Sequence, residues 1–212
     1  HELIKRYREM ALHPEADGAI EDVVNEAIVS DLYDSPVELE LSNLNASEGI
    51  KKRIRQEFTY LKELMDFDKK CHEIFRNWYI DGRLFYLKVI DSKNPQEGIQ
   101  DLRYIDPMKI KYIRQEKKQN GRDLTTLQVN KDSVPNPVFD EYYIYTHKPN
   151  YPTGMVASAG KGQVKIAKDS ITYCTSGLVD RNKNRVLSYL HKAIKALNQL
   201  RMIEDSLVIY RL

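Results

Sequence analysis

Four aspartates are the first candidates for chemistry in this sequence of 212 residues. Asp66 and Asp68 are spaced so that two carboxylates could share a divalent cation, and with Asp106 and Asp180 they could serve a nuclease or phosphotransferase. The plainer reading is that carboxylates at a helix start favour the positive end of its dipole. Asp106 precedes Pro107, and a residue before proline is held out of the helical region, so this pair ends a strand and opens a turn. Asp180, after Gly177, reads as loop chemistry in the same way. Cys71 and His72 are neighbours, and adjacent helical residues face different ways, which argues against a shared metal. His191 could make a pH-sensitive or phosphate-facing contact, or could be an ordinary helix histidine. Arg185, Lys192, Lys195 and Arg201 could touch nucleic-acid phosphates, although charges on a solvated helix face are commoner.

No nucleotide-binding glycine loop, zinc-protease helix, nucleophile elbow or calcium loop occurs anywhere in the chain. The sequence therefore predicts no catalytic, cofactor or metal residues. Its two cysteines, Cys71 and Cys174, lie far apart without metal or redox spacing, so they read as reduced thiols. No stretch approaches the roughly 18 apolar residues of a membrane span, and the start has no leader-like pattern. The expectation is a soluble chain that is not exported. The hydrophobic fraction of 42% is enough for a real core. Tyrosines number 14 against 5 phenylalanines, a composition suited to rings half-buried at interfaces. Net charge is only +2, yet residues 1–50 hold 3 Lys/Arg against 12 Asp/Glu, whereas residues 51–212 hold 30 against 19. That polarity could bring identical subunits together head to tail, or reflect solvated helix surfaces.

Positioning these residues requires an α+β fold with several helices, a small antiparallel or mixed sheet and a long C-terminal helix. Leu3, Tyr7 and Met10 mark one helix, and Ala16 through Ile28 mark a second after Pro14. With no initiator methionine and no capping residue, the chain is expected to begin inside a longer protein. Val37, Leu39 and Leu41 alternate with Glu38, Glu40 and Ser42, predicting a half-buried strand. Ser47 is placed to cap a third helix, whose Ile50, Ile54, Phe58, Leu61 and Leu64 oppose Lys51, Lys52, Arg53 and Arg55. A fourth helix, near Phe67–Tyr79, stops at Gly82. Residues 83–90 read as a central strand. Segments 99–105, 110–114, 141–146, 164–166 and 171–175 follow as further strands. Segments 116–137 and 147–162 read as long surface loops. From about Arg185 the pattern predicts one uninterrupted helix of about 40 Å. Leu187, Leu190, Ile194, Leu197, Leu200, Ile203, Leu207 and Tyr210 form its apolar stripe, which seeks a partner or a continuation of the chain.

Several blocks of the sequence are familiar. The run Trp78 to Phe85 and the run Leu102 to Pro107 resemble segments of the head portal vertex protein of T-even-type, contractile-tailed bacteriophages. So do Ser176 to Asp180, Tyr189 to Ala193, Asn198 to Leu200, Glu204-Asp205 and Val208 to Arg211, all in the expected order. The resemblance covers nearly the whole chain and is weakest in segments 116–137 and 147–162. It implies a portal wing domain over residues 1–184, with helices in 1–30 and 47–81 and a sheet over 83–175. Residues 185–212 are implied to be a helix leading toward the stem, truncated before the clip.

The resemblance also implies a structural protein of the virion, assembled in the host cytoplasm and placed at one capsid vertex. There it would form a homo-oligomeric ring of twelve and pass double-stranded DNA without reading its sequence. Major capsid and scaffold proteins, the terminase large subunit and neck and tail connector proteins would be its partners. The alternative function is non-specific nucleic-acid binding through the basic residues of the terminal helix.

Overall fold

A computed structural model of the chain describes residues 1–29, 35–116, 139–147, 163–182 and 185–211. The expected loops 116–137 and 147–162 lie almost wholly outside those residues. The chain divides into two compact units, one of residues 1–108 with 172–212 and the other of residues 109–171.

The first unit begins with α1 (Glu2–Met10) and α2 (Pro14–Ala27). Pro14 stands at the first helical position, where its missing N–H costs nothing. The three-four spacing of Ile4, Tyr7 and Met10 in α1, and of Ala16, Ile20 and Val24 in α2, puts each set on a buried face. α3 (Glu48–Leu64) and α4 (Phe67–Asp81) follow. α4 ends at Gly82, whose φ of 71° is the left-handed conformation that a side chain disfavours. Asp66 opens α4 with a φ of 50°. The hydrophobic core gathers Tyr7, Met10, Ala11, Ile20, Val24, Ile80 and Leu190, with Phe75, Tyr79, Ile194 and Leu197 packed against it.

The expected strands sort into two sheets of three. In the first unit β1 (Arg83–Ile90) is central, with β2 (Ile99–Ile105) on one side and β6 (Ile171–Thr175) on the other. β1 and β2 are antiparallel, with Phe85 opposite Ile105. The second unit carries β3 (Ile110–Glu116), β4 (Phe139–Thr146) and β5 (Gln163–Ala167) in that order, all antiparallel. Tyr143 is buried on β4, its ring 5.3 Å from that of Tyr112 across the ladder. Glu141 on β4 meets Lys168 and lies 3.4 Å from Arg114. Lys168, and after it the Tyr112 hydroxyl, hold the Glu141 carboxyl below its usual range.

Three expectations are corrected. Residues 37–42 form no strand: alternation makes a strand only where a neighbour supplies a ladder, and none of the described strands pairs with this segment. Ser47 occupies the start of α3, but its side chain makes no capping bond. The terminal helix starts later than Arg185. Residues 185–187 instead fold back on 178–180, through Asp180 N–H to Arg185 O (2.9 Å) and Leu187 N–H to Leu178 O (2.8 Å). A 3₁₀ turn over Tyr189–Ala193 then leads into α5 (Ile194–Arg211). Arg185 and Leu187 are therefore not helical. Among the described residues no helix is long and apolar enough to cross a membrane.

Candidate functional site

The candidate aspartates do not converge. Asp66 pairs with Lys69 and Lys70, each at 3.6 Å, and Asp68 pairs with Lys62 at 3.3 Å. Asp106 accepts Arg8 Nη2 (2.8 Å) and the Met108 backbone N–H (2.9 Å), closing the turn after β2. Asp180 accepts the Arg181 N–H at 2.8 Å. Each carboxylate is thus occupied locally. Among the described residues no group of three or more His, Cys, Asp or Glu side chains is placed to hold a metal. Cys71 is buried and Cys174 exposed, both as free thiols.

What the chain does build is a seat for α5. Gly82 lets the Leu187–Ser188 backbone pass so closely that an added Cβ would lie 2.7 Å from the Leu187 oxygen. Ser188, fully buried, donates its hydroxyl to Tyr79 O (2.9 Å) and accepts the Leu190 N–H (3.1 Å). One side chain therefore ends α4 and caps the turn into α5. Ser176 donates to Leu187 O (2.5 Å), and Arg83 donates to Val186 O (2.6 Å). The Tyr189 ring stacks on Tyr79 at 5.2 Å and lies 5.5 Å from Trp78. From α1, the Tyr7 hydroxyl meets His191 Nδ1 at 2.8 Å. Burial pushes the Tyr7 phenol above its ordinary pKa. About three turns along α5, His13 Nε2 reaches Glu204 at 3.3 Å. His191 therefore belongs to the seat and is not presented to a ligand.

The apolar stripe divides along its length. Leu190 is buried in the core, and Ile194 and Leu197 pack against it; Leu187 and Leu200 are half-buried. Beyond Leu200 every described residue is exposed, including Ile203 at 58%, Leu207 at 54% and Tyr210 at 89%. Three apolar residues off the stripe are also uncovered: Met202, Val208 and Ile209. At about 100° per residue, the exposed apolar side chains span roughly three quarters of the circumference of α5. A single facing surface inside one subunit would leave most of them wet. The stripe rule misses the extra three because it selects one face; the signal that finds them is the total apolar content of residues 202–210.

Arg185, Lys192, Lys195 and Arg201 are all exposed. Arg185 lies on the hairpin before the seat and Lys192 on the 3₁₀ turn. Lys195 and Arg201 are about 120° apart around α5.

A charged cluster that spacing does not disclose joins α1, α4 and β2. Arg8 clamps Asp81 with two bonds (Nε at 2.9 Å, Nη2 at 2.6 Å) and also meets Asp106. Asp81 is 2% exposed and lies in the last turn of α4, where the helix dipole disfavours a carboxylate. Its bidentate arginine offsets that cost. The clue available in sequence is the acid immediately before Gly82.

The model of the family described as Bacteriophage T4-like portal protein (Gp20) matches residues 1–212. The portal protein of Vibrio phage KVP40 is 36% identical over 215 residues, covering 100% of this chain and 40% of that protein. The portal protein of Salmonella phage ViI is 27% identical over 216 residues, covering 98% of this chain and 37% of that protein. The chain thus spans about two fifths of the length of these curated relatives.

Proposed function

The chain belongs to the T4-like portal protein family, and from that premise we propose that it is part of a structural subunit of the head portal. Twelve such subunits form the ring at one capsid vertex through which double-stranded DNA is packaged and ejected. Residues 1–184 supply the wing and residues 185–212 lead toward the stem. Capsid and scaffold proteins, the terminase large subunit and the neck and tail connectors contact the assembled ring. The protein is assembled in the host cytoplasm and resides in the virion.

The observation that carries this reading is the uncovered outer half of α5. A helix apolar over about three quarters of its circumference, held at its base and exposed at every described residue beyond Leu200, suits a ring in which each subunit's helix packs against both neighbours. Leu200, Ile203, Leu207 and Tyr210 are the proposed intersubunit residues; Leu190, Ile194 and Leu197 serve inside the subunit, with Leu187 at its hinge. Arg185, Lys192, Lys195 and Arg201 are the proposed DNA-facing cations. Contact with phosphates alone suits a duct along which DNA must slide, since such contacts position without reading sequence.

The test is Leu207→Asp in the full-length protein. Because Leu207 is exposed within its own chain, the variant should keep its circular dichroism spectrum while rings seen by electron microscopy fall by about tenfold or more, as a charge enters an apolar seam. Undiminished rings would remove α5 from the interface. A wild-type protein that forms no rings would remove the portal reading itself.

A further inference from the structure

The rotation of α5 about its own axis is fixed, because Ile194 and Leu197 pack on the core and Glu204, close to the same meridian, meets His13. Counted from Leu197 at about 100° per residue, the exposed apolar side chains fall on two separate flanks. Met202 and Ile209 lie at about 120–140°, whereas Ile203, Leu207 and Tyr210, with the half-buried Leu200, lie at about 220–300°. Val208 continues the core-facing line. The second flank advances in alternating steps of three and four residues, the spacing of a coiled-coil seam. Between the flanks, opposite the core, run Lys195, Gln199 and Ser206, all polar and exposed.

The centres of the two flanks are about 130° apart across this polar line and about 230° apart across the core side. In a ring, the directions from one subunit to its two neighbours enclose less than a straight angle on the side of the ring axis, about 150° for twelve copies. Flanks spaced in this way suit one neighbour each, with the narrow side between them toward the axis. The charges at the rims agree. Arg201 and Asp205 border Met202 and Ile209, Glu204 and Arg211 border the other flank, and all four are exposed. Toward the C-terminus one rim runs cation then acid and the other acid then cation, so parallel copies of α5 set opposite charges against each other. The contact of Glu204 with His13 is the only ion pair that α5 makes among the described residues, which leaves Arg201, Asp205 and Arg211 for a neighbour.

We propose that α5 packs head to tail with α5 of the adjacent copies. The flank of Met202 and Ile209 on each chain meets the flank of Leu200, Ile203, Leu207 and Tyr210 on the next, and Lys195, Gln199 and Ser206 face the bore. The contact is heterologous, as a closed ring requires. It rests on the ring reading above and narrows it: of the two proposed DNA-facing cations on α5, Lys195 faces the bore, while Arg201, about 120° away around the helix, belongs to the rim between subunits.

Two experiments on the full-length protein test it. Met202→Cys and Ile203→Cys chains, each in a Cys174→Ser background, should give a covalent dimer with a short bismaleimide when co-expressed, and none when either is expressed alone. Ile209→Glu should lower the yield of rings about tenfold, as a charge enters an apolar seam, while Ser206→Glu, three residues away on the bore side, should leave it unchanged; both should keep the circular dichroism spectrum. A dimer from Ile203→Cys alone would mean that like flanks meet, and overturns the head-to-tail packing. Rings that give no dimer, or that tolerate Ile209→Glu as well as Ser206→Glu, overturn this interface and leave the portal reading standing. Wild-type protein that stays monomeric overturns both.

Discussion

Replacing Gly82 by alanine tests whether the seat of α5 is held by close backbone packing or only by the chain's need for a left-handed residue. The conformational part is common to any glycine of this kind, about 1–2 kcal/mol for a Cβ at positive φ. Gly82 adds a second cost. Its Cβ would lie 2.7 Å from Leu187 O, 2.9 Å from Ser188 Cα and 3.0 Å from Leu187 C. All three are backbone atoms, so no rotamer change relieves them. Moving residues 187–188 away strains the Ser188 bonds to Tyr79 O and Leu190 N–H, each worth about 1 kcal/mol net. The expected loss for Gly82→Ala is therefore about 3–4 kcal/mol. Gly177 is the internal control: its φ is 77°, but a Cβ there meets nothing within 4 Å, so Gly177→Ala should cost only about 1–2 kcal/mol. Urea unfolding followed by Trp78 fluorescence suits both, because Trp78 is the sole tryptophan and lies against Tyr189 in the seat. Equal midpoint shifts for the two variants would refute close packing at the joint.

Two further outcomes follow from the same unit. Arg8→Ala leaves the buried Asp81 carboxylate without its bidentate partner and should cost about 2–4 kcal/mol, the lower end reflecting the half-exposed arginine; thermal denaturation within 1 kcal/mol of wild type would refute the clamp. Tyr7→Phe loses the bond to His191, about 1 kcal/mol, and alters the alkaline limb. Burial raises the folded phenol above its ordinary value near 10, so its contribution is full below that pH and is lost as pH rises through the folded value. The variant should lose less stability than wild type above pH 10 in urea titrations, and parallel alkaline limbs would count against a buried Tyr7.

The sequence discloses what depends on neighbours along the chain and hides what depends on distant ones. Gly82 is legible as the stop of α4 because the left-handed cap is a local need, and the helical faces of α1 to α4 follow from spacing alone. Residues 37–41 carry a strand pattern without forming a strand, since a strand exists only with a partner. Arg185 to Leu187 continue the apolar rhythm of α5 but pair with residues 178–180 instead, a competition that periodicity does not register. The Arg8–Asp81–Asp106 cluster joins three segments 73 and 98 residues from Arg8, beyond any spacing rule. The six strands were each visible, but their sorting into two sheets is a matter of pairing.

The stripe from Leu187 to Tyr210 is uniform as a pattern and divided as a structure, and that division bears on mechanism. An isolated helix as short as the exposed residues 201–211 is marginal in water. Its outer turns must therefore propagate from an ordered base, and here the base is fixed by Leu190, Ile194 and Leu197 in the core and by the Ser188 and His191 bonds. Direction is set inside the chain, and the proposed ring would cover the apolar surface left exposed. Loosening the seat would thus alter the angle at which the outer half is presented without touching a single residue of the proposed interface. Assembly defects at Gly82 and at Leu207 should for that reason look alike by microscopy and differ in solution, where only the first destabilises the chain.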